Sequence, residues 1–216
     1  MAVRVVCISR TDGALGEQIG DLVARRLDFR YVDDQVIVRA ARLAQVDPSL
    51  VAAVEQRQPL LRRLIANLGA ARDLVGPAAL GLHVPAARDD DAYRGRPEDL
   101  RLLIGAAIHE IAADGDVVIA AHAASMTLAI RPDVFRVLVT ASNETRARRV
   151  AEAQGLTPEA AAAAIATGDR NRDHYFRHFH SVDRELPTHY DLVVNTDTLW
   201  ANRAADVIAY AARAAQ

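Results

Sequence analysis

The 216-residue chain contains no lysine; all 26 of its basic residues are arginines. A lysine phosphate grip and a lysine Schiff base are therefore excluded, and any anion chemistry must rest on guanidinium groups and backbone amides. With one cysteine, Cys7, an internal disulfide is excluded as well. Cys7 lies inside the apolar run VRVVCI, where it reads as a buried strand thiol rather than a nucleophile. Aromatic residues make up only 5% and the net charge is -2, so neither a stacking surface nor a global basic field for nucleic acid or anionic lipid is expected. No uncharged apolar run approaches the ~18 residues of a membrane span. The opening MAVRVVCISR has neither the apolar length nor the small-residue cleavage site of a secretory leader. These absences lead to the expectation of a cytoplasmic protein that binds neither nucleic acid nor a membrane.

What is present is a globular pattern, half apolar and a quarter charged, which is too apolar for disorder. Four short, nearly continuous apolar runs read as buried strands: VRVVCI at Val3 to Ile8, DVVIAA at Asp116 to Ala121, FRVLVTA at Phe135 to Ala141 and DLVVNT at Asp191 to Thr196. FRYVDD adds a shorter one. Helical spacing lies between them, as at Leu15, Ile19, Leu22, Val23 and Leu27, and capping signals stand at Asp47-Pro48, Ser142 and Thr157-Pro158. LWANRAADVIAYAARAA reads as a closing helix. Strands of this kind alternating with amphipathic helices predict an α/β fold, a parallel sheet flanked by helices on both faces. The acidic triple Asp89 to Asp91 reads as a solvated loop rather than a metal site.

One stretch carries chemistry. SRTDGALGEQIG, Ser9 to Gly20, follows a strand and opens a helix. A helix N-terminus offers unpaired amides and the positive end of its dipole, and Gly13 and Gly16 let backbone approach an anion closely. It lacks the Lys and Ser or Thr of GxxxxGK[ST], so taken alone it is either a phosphate cradle or a plain strand-to-helix turn.

SRTDGALGEQIG followed by RYVDDQVIVRAA resembles the P-loop nucleoside monophosphate kinases, specifically the cytidylate kinase-like family, in which a lysine-free SRxxGSGGxxI loop is usual. GDVVIAAHAA stands where that family has a strand ending in GRGA, FRVLVTASNETRARRV is similar to its next strand and helix, and YDLVVNTDTL to its closing strand. Two departures stand out: GSGG reads GALG, with Leu15 in place of a glycine, and GRGA reads AHAA, with His122 for an arginine and Ala123 for a glycine. The resemblance implies a single P-loop kinase-like domain with a core (1–34, 97–154, 190–216), a monophosphate-binding insertion (35–96) and an arginine-bearing lid (155–189). It also implies that Arg10, Gly13, Ala14, Leu15, Gly16, Glu17 and Gln18 bind the phosphates of ATP with Mg²⁺. Asp33, Arg39, His122 and Arg131 would bind the acceptor. Arg170, Arg172 and Arg177 of DRNRDHYFRHF would be the catalytic lid arginines, Arg170 and Arg177 foremost because seven-residue spacing puts them on one helix face.

Competing readings attach to the same segments. The lid arginines are otherwise a solvated face paired with Asp169 and Asp173, and Arg146, Arg148 and Arg149 are expected to be mostly solvated. His174, His178 and His180 include an i, i+4 pair that could take zinc or nickel, but neighbouring arginines would repel a divalent ion. The expected function is phosphoryl transfer from ATP to a nucleoside monophosphate, CMP or dCMP as the best guess. The alternative is a nucleotide-binding regulator that kept the fold and lost turnover. Nucleotides are the expected partners, and a homodimer is left open.

Overall fold

The computed structural model describes residues 2–33, 36, 38–40, 97–120 and 123–215, residues 97–100 by their backbone alone. The chain divides into two units, 1–36 with 105–216, and 37–104. In the second unit, Arg39 and Ala40 are helical, Arg39 half-buried and Ala40 buried. The Asp47-Pro48 cap, the acidic triple and His122 lie outside the described residues.

The first unit is built on a five-stranded parallel sheet of order β2-β3-β1-β4-β5. Its strands are β1 (Val5–Arg10), β2 (Arg30–Val32), β3 (Val117–Ile119), β4 (Val134–Thr140) and β5 (Leu192–Asn195). Central β1 starts two residues later than the apolar run suggested and continues into Ser9 and Arg10, because β4 pairs with it throughout, from Val5↔Val134 to Arg10↔Val139. Val5, Val6, Cys7 and Ile8 are at most 3% exposed, and burying each such side chain stabilises the fold by about 1.5–3 kcal/mol. Burial pushes the Cys7 thiol up to about 12, which makes it an inert core residue.

The helices are α1 (Gly16–Leu27), α2 (Pro97–Asp114), α3 (Ala124–Thr127), α4 (Asn143–Gln154), α5 (Pro158–His180) and α6 (Ala201–Ala214). Val6 and Ile8 of β1 share a core cluster with Ile19 and Val23 of α1 and with Ala204, Ala205, Ile208 and Ala212 of α6. Small residues on α6 let it lie close to α1. By strand alternation Cys7 and Ser9 look to the other face. The expected caps are in place: Ser142 accepts from the Thr145 amide at 3.3 Å and Thr157 from the Ala160 amide at 3.2 Å, ahead of Pro158. Among the described residues no helix is long and apolar enough to cross a membrane.

Two bidentate ion pairs close the amino-terminal edge of the sheet. Arg131 meets Asp133 at 3.0 and 2.7 Å, and Arg136 meets Asp191 at 3.1 and 2.8 Å. Hydrogen bonding from Arg131 holds the Asp133 carboxyl below its ordinary value; at Asp191 partial burial works upward, but hydrogen bonds from Arg136 outweigh it and the value again falls. A depressed folded value means that the stabilisation is present above the ordinary aspartate range and lost as pH drops through the folded value. Asp133→Asn should therefore cost about 1–3 kcal/mol at neutral pH. Urea titrations should show that deficit shrinking as pH falls below the ordinary aspartate range; a deficit that does not change with pH would count against the carboxylate as its source.

Candidate functional site

In a parallel sheet, ligand crevices form beyond the carboxyl ends of strands whose connections run in opposite directions. Here β1 leads toward β2 and β4 leads toward β5, so the loop after β1 lies at that divergence. The loop is a tight turn, with the Ala14 amide donating to the Thr11 carbonyl at 3.1 Å and the Thr11 amide to Val139 of β4 at 3.3 Å. Gly13 has φ +77°, and a Cβ there would stand 2.7 Å from the Arg146 carbonyl oxygen. Leu15, the residue before α1, takes the left-handed conformation (φ 66°, ψ 18°) and supplies no side-chain cap to the helix N-terminus, the end of a helix that favours anions. Its side chain packs against the core cluster.

The loop is gripped from α4. Arg146, 3% exposed, donates from Nε to the Asp12 carbonyl at 2.7 Å and clasps Asp169 of α5 at 2.9 and 2.6 Å. Arg149 donates to the Gly13 carbonyl at 3.2 Å and to Thr196, whose hydroxyl in turn reaches the Ala14 carbonyl. Burial, followed by the charge of Arg148, lowers the Arg149 pKa from its ordinary high value. Both arginines were expected to be mostly solvated. Only Arg148 is, exposed beside Glu152. The sequence did hold a signal: NETRARRVAEAQ has almost no apolar face, so the side it turns inward has to be made of arginine stems.

Two polar clusters flank the end of β1. On the α1 side, Arg10 pairs with Glu17 at 2.8 Å and Asp33 at 3.4 Å and also donates to the Ala120 carbonyl. Burial opposes its charge, but Asp33 and then Glu17 outweigh it, so the Arg10 pKa is raised. On the other side Arg172 of α5 donates to Ser9 Oγ at 2.6 Å and binds Glu185 through two nitrogens at 2.8 and 2.7 Å. The Tyr190 hydroxyl donates to Ser9 Oγ at 3.0 Å and also contacts Glu185. Thr11 Oγ1 just beyond β1, Asp33 Oδ1 just beyond β2 and Ser125 Oγ of α3 are buried without a hydrogen-bond partner among the described residues. Orphaned oxygens of this kind call for a ligand or an ordered water.

The structure thus brings Arg10, Glu17 and Asp33 together beside the loop Gly13, Ala14, Leu15 and Gly16, with Gln18 exposed one turn into α1. Arg10 does not offer a free charge in place of the missing lysine, because two carboxylates already hold it. The lid arginines divide differently from the expectation. The inward stripe of α5 runs through Ala161, Ile165 and Phe176 and takes in Arg172, whereas Arg170 and Arg177 are exposed, bonded to Thr167 and set 3.9 Å from Asp183. Arg131 does not join the site: it precedes β4 at the amino edge, the opposite end of the sheet, where Asp133 engages it. His174 and His178 stack at 5.8 Å, and among the described residues no group of His, Cys, Asp or Glu is placed to hold a metal ion. Sequence reasoning missed Arg146, Arg149, Glu185 and Tyr190.

The sequence pattern of the cytidylate kinase-like family matches residues 5–198, and the chain belongs to that family. An uncharacterized protein from Eubacterium ventriosum ATCC 27560 has a similar structure, with TM-score 0.65 at 13% identity over 97% of this chain and 98% of that one. Shikimate kinase from Bacteroides thetaiotaomicron is similar at TM-score 0.50 and 15% identity, over 97% and 96% of the two chains. At these identities the likeness is one of fold, a P-loop kinase-like sheet flanked by helices. No curated protein matches the sequence.

The tight approach at Gly13 gives a test of the loop geometry. Gly13→Ala meets Arg146 backbone and a positive φ together and should cost about 2–4 kcal/mol. Gly168→Ala, whose Cβ would meet only the Asp12 carboxylate tip at 2.6 Å, should cost under about 1 kcal/mol because that side chain can turn aside. Thermal unfolding of both variants checks the order; equal losses would mean that the Arg146 carbonyl does not confine the loop.

Proposed function

We propose that this member of the cytidylate kinase-like family transfers the γ-phosphoryl group of ATP, carried with Mg²⁺, to a nucleoside monophosphate, with CMP and dCMP the first acceptors to test. The observation that carries the reading is the loop after β1: two glycines, an uncapped helix N-terminus and backbone carbonyls clamped from α4, set at the divergence of a parallel sheet. Such a loop can surround phosphate oxygens with amides at positions 13–18 and does not need a lysine to do so. In the transfer, an oxygen of the acceptor phosphate bonds to the γ-phosphorus as the bond to the β-γ bridging oxygen breaks, and ADP leaves. Mg²⁺ bound to the triphosphate would neutralise charge on its oxygens. Thr11 Oγ1 and Asp33 Oδ1, buried and without a partner among the described residues, suit contact with such a ligand.

The acceptor is assigned to Asp33, Arg39, His122 and the insertion 35–96. Arg170 and Arg177, exposed on the lid segment 155–189, have the freedom to approach the transferring group on closure. Arg10 acts by positioning: with Glu17 and Asp33 it ties the end of β1 to α1 and β2.

A second reading is supported by the backbone at the two departures from the family pattern. Leu15 and Ala123 both hold positive φ, 66° and 49°, so each keeps a glycine's conformation while carrying a side chain. A nucleotide-binding regulator with little turnover would tolerate that.

Purified protein with Mg-ATP and each of CMP, dCMP, UMP and AMP should form ADP with at least one acceptor. If a control kinase works and all four fail, the enzyme reading is lost; protection from thermal unfolding by ATP or CMP without product then favours the regulator. Leu15→Gly should raise ATP affinity or turnover by roughly three- to tenfold. Unchanged values would reduce the loop to a plain turn.

A further inference from the structure

Among the lid arginines, Arg172 is the one in contact with the strand that leads into the loop, and a carboxylate from its own chain already occupies it. Arg172 and Glu185 are 16% and 13% exposed in their side chains, and they meet in the two-pronged geometry by which a guanidinium also takes a phosphate. Their common neighbour, Ser9 Oγ, accepts from Arg172 at 2.6 Å, donates to Glu185 at 3.2 Å and sits one residue before the end of β1.

The two partners stand on different stretches of backbone. Arg172 stands over the ring of Phe176, buried one turn further along the same helix, at 4.6 Å, so its own helix fixes it in place. Glu185 belongs to the stretch 181–189, which leaves α5 through Ser181 in the left-handed region (φ 54°) and in which Ser181, Asp183, Arg184, Leu186, Pro187 and Thr188 are all exposed. Glu185 is the acidic residue of that stretch that turns inward, where Ser9 Oγ and the Tyr190 hydroxyl also meet it. An anion arriving at Arg172 therefore displaces the carboxylate more readily than it moves the guanidinium.

We propose that Glu185 is an internal counter-anion that latches Arg172, and that phosphate of a bound nucleotide takes its place on the guanidinium, freeing residues 181–189. The inference rests on the nucleotide reading above and makes Glu185 a positioning residue. Arg172 remains paired throughout, with carboxylate before binding and with phosphate after it, so the exchange never leaves a buried guanidinium without a partner.

The probe is inorganic tripolyphosphate, followed by amide hydrogen exchange on the wild-type chain and by calorimetric binding to Glu185→Gln. Amides within 181–189 should exchange severalfold faster when the anion is bound, while those of β1 and β4 do not. Glu185→Gln should bind the anion about tenfold more tightly than wild type, the worth of one charge-assisted hydrogen bond no longer competed for. Adding Arg172→Gln to that variant should abolish the gain. Binding that leaves exchange in 181–189 unchanged, or a Glu185→Gln variant that is less stable but no tighter, overturns the latch and leaves the nucleotide reading standing. Failure of both wild type and Glu185→Gln to bind tripolyphosphate or ATP overturns both.

Discussion

A guanidinium cannot shed its proton, so one that is buried has to be answered by carboxylates and carbonyls, and the carboxyl end of β1 is organised by that requirement. Arg10 is the case on which most else depends. Its side chain passes under the start of α1, where a Cβ on Gly16 would stand 2.4 Å from the Arg10 Cβ, and it is met by Glu17 from the first turn of α1, by Asp33 beyond β2 and by the Ala120 carbonyl beyond β3. One residue thus accounts for a glycine in the loop, an acid one position later and an acid at the end of another strand. Each would look incidental in isolation. Taken together they join the ends of three strands and the head of a helix around a single charge, which is how the loop comes to have a fixed position relative to the sheet.

The loop's own backbone is held against its preference. Left-handed conformation costs an L-residue roughly 1–2 kcal/mol, and it persists where the surroundings over-determine it. At Leu15 the compensation is apolar contact of the side chain with the core cluster, together with the hydrogen bond from the Ile19 amide to the Leu15 carbonyl at 2.9 Å. Upstream, Arg146 and Arg149 pin the carbonyls of Asp12 and Gly13. Because Arg146 also clasps Asp169, the conformation of the loop and the placement of α5 are tied through one side chain. Ala123 shows that the same economy operates at the end of β3, where the residue before α3 again keeps a positive φ without being glycine.

How far the sequence disclosed this depends on the range of the interaction. Strands, capping residues and the strand-loop-helix order are local, and each of the five apolar segments recognised in the sequence became a strand, with ends shifted by a residue or two where pairing with a neighbour extended or trimmed it. The arginines followed a different rule. Arg170 and Arg177 do share a helix face, as their spacing requires, but spacing cannot say which face is buried; that was set by Ala161, Ile165 and Phe176 packing inward and carrying Arg172 with them. Arg131 stood in a suitable neighbourhood of the chain yet precedes a strand rather than following one, which in a parallel sheet places it at the opposite end from the loop. Glu185 and Tyr190 are joined to Ser9 across more than 170 residues, and nothing in either local sequence marks them.

The lack of lysine has a consequence for how such a site can be controlled. Arg10 is raised further above an already high pKa by its carboxylates, so its charge is constant across any pH at which the chain is folded. What can vary is the company the guanidinium groups keep. Glu17 and Asp33 on one side of β1, and Glu185 on the other, set how much of the positive charge is felt at the loop, and an incoming anion changes the local field only by exchanging with one of them or by binding the amides of α1 directly. Arg10 is enclosed between α1 and the ends of β2 and β3, its side chain 11% exposed and met by Glu17, Asp33 and the Ala120 carbonyl. Arg172 is held by a carboxylate on an otherwise exposed stretch of chain, so the side that faces α5 is where the proposed exchange would act.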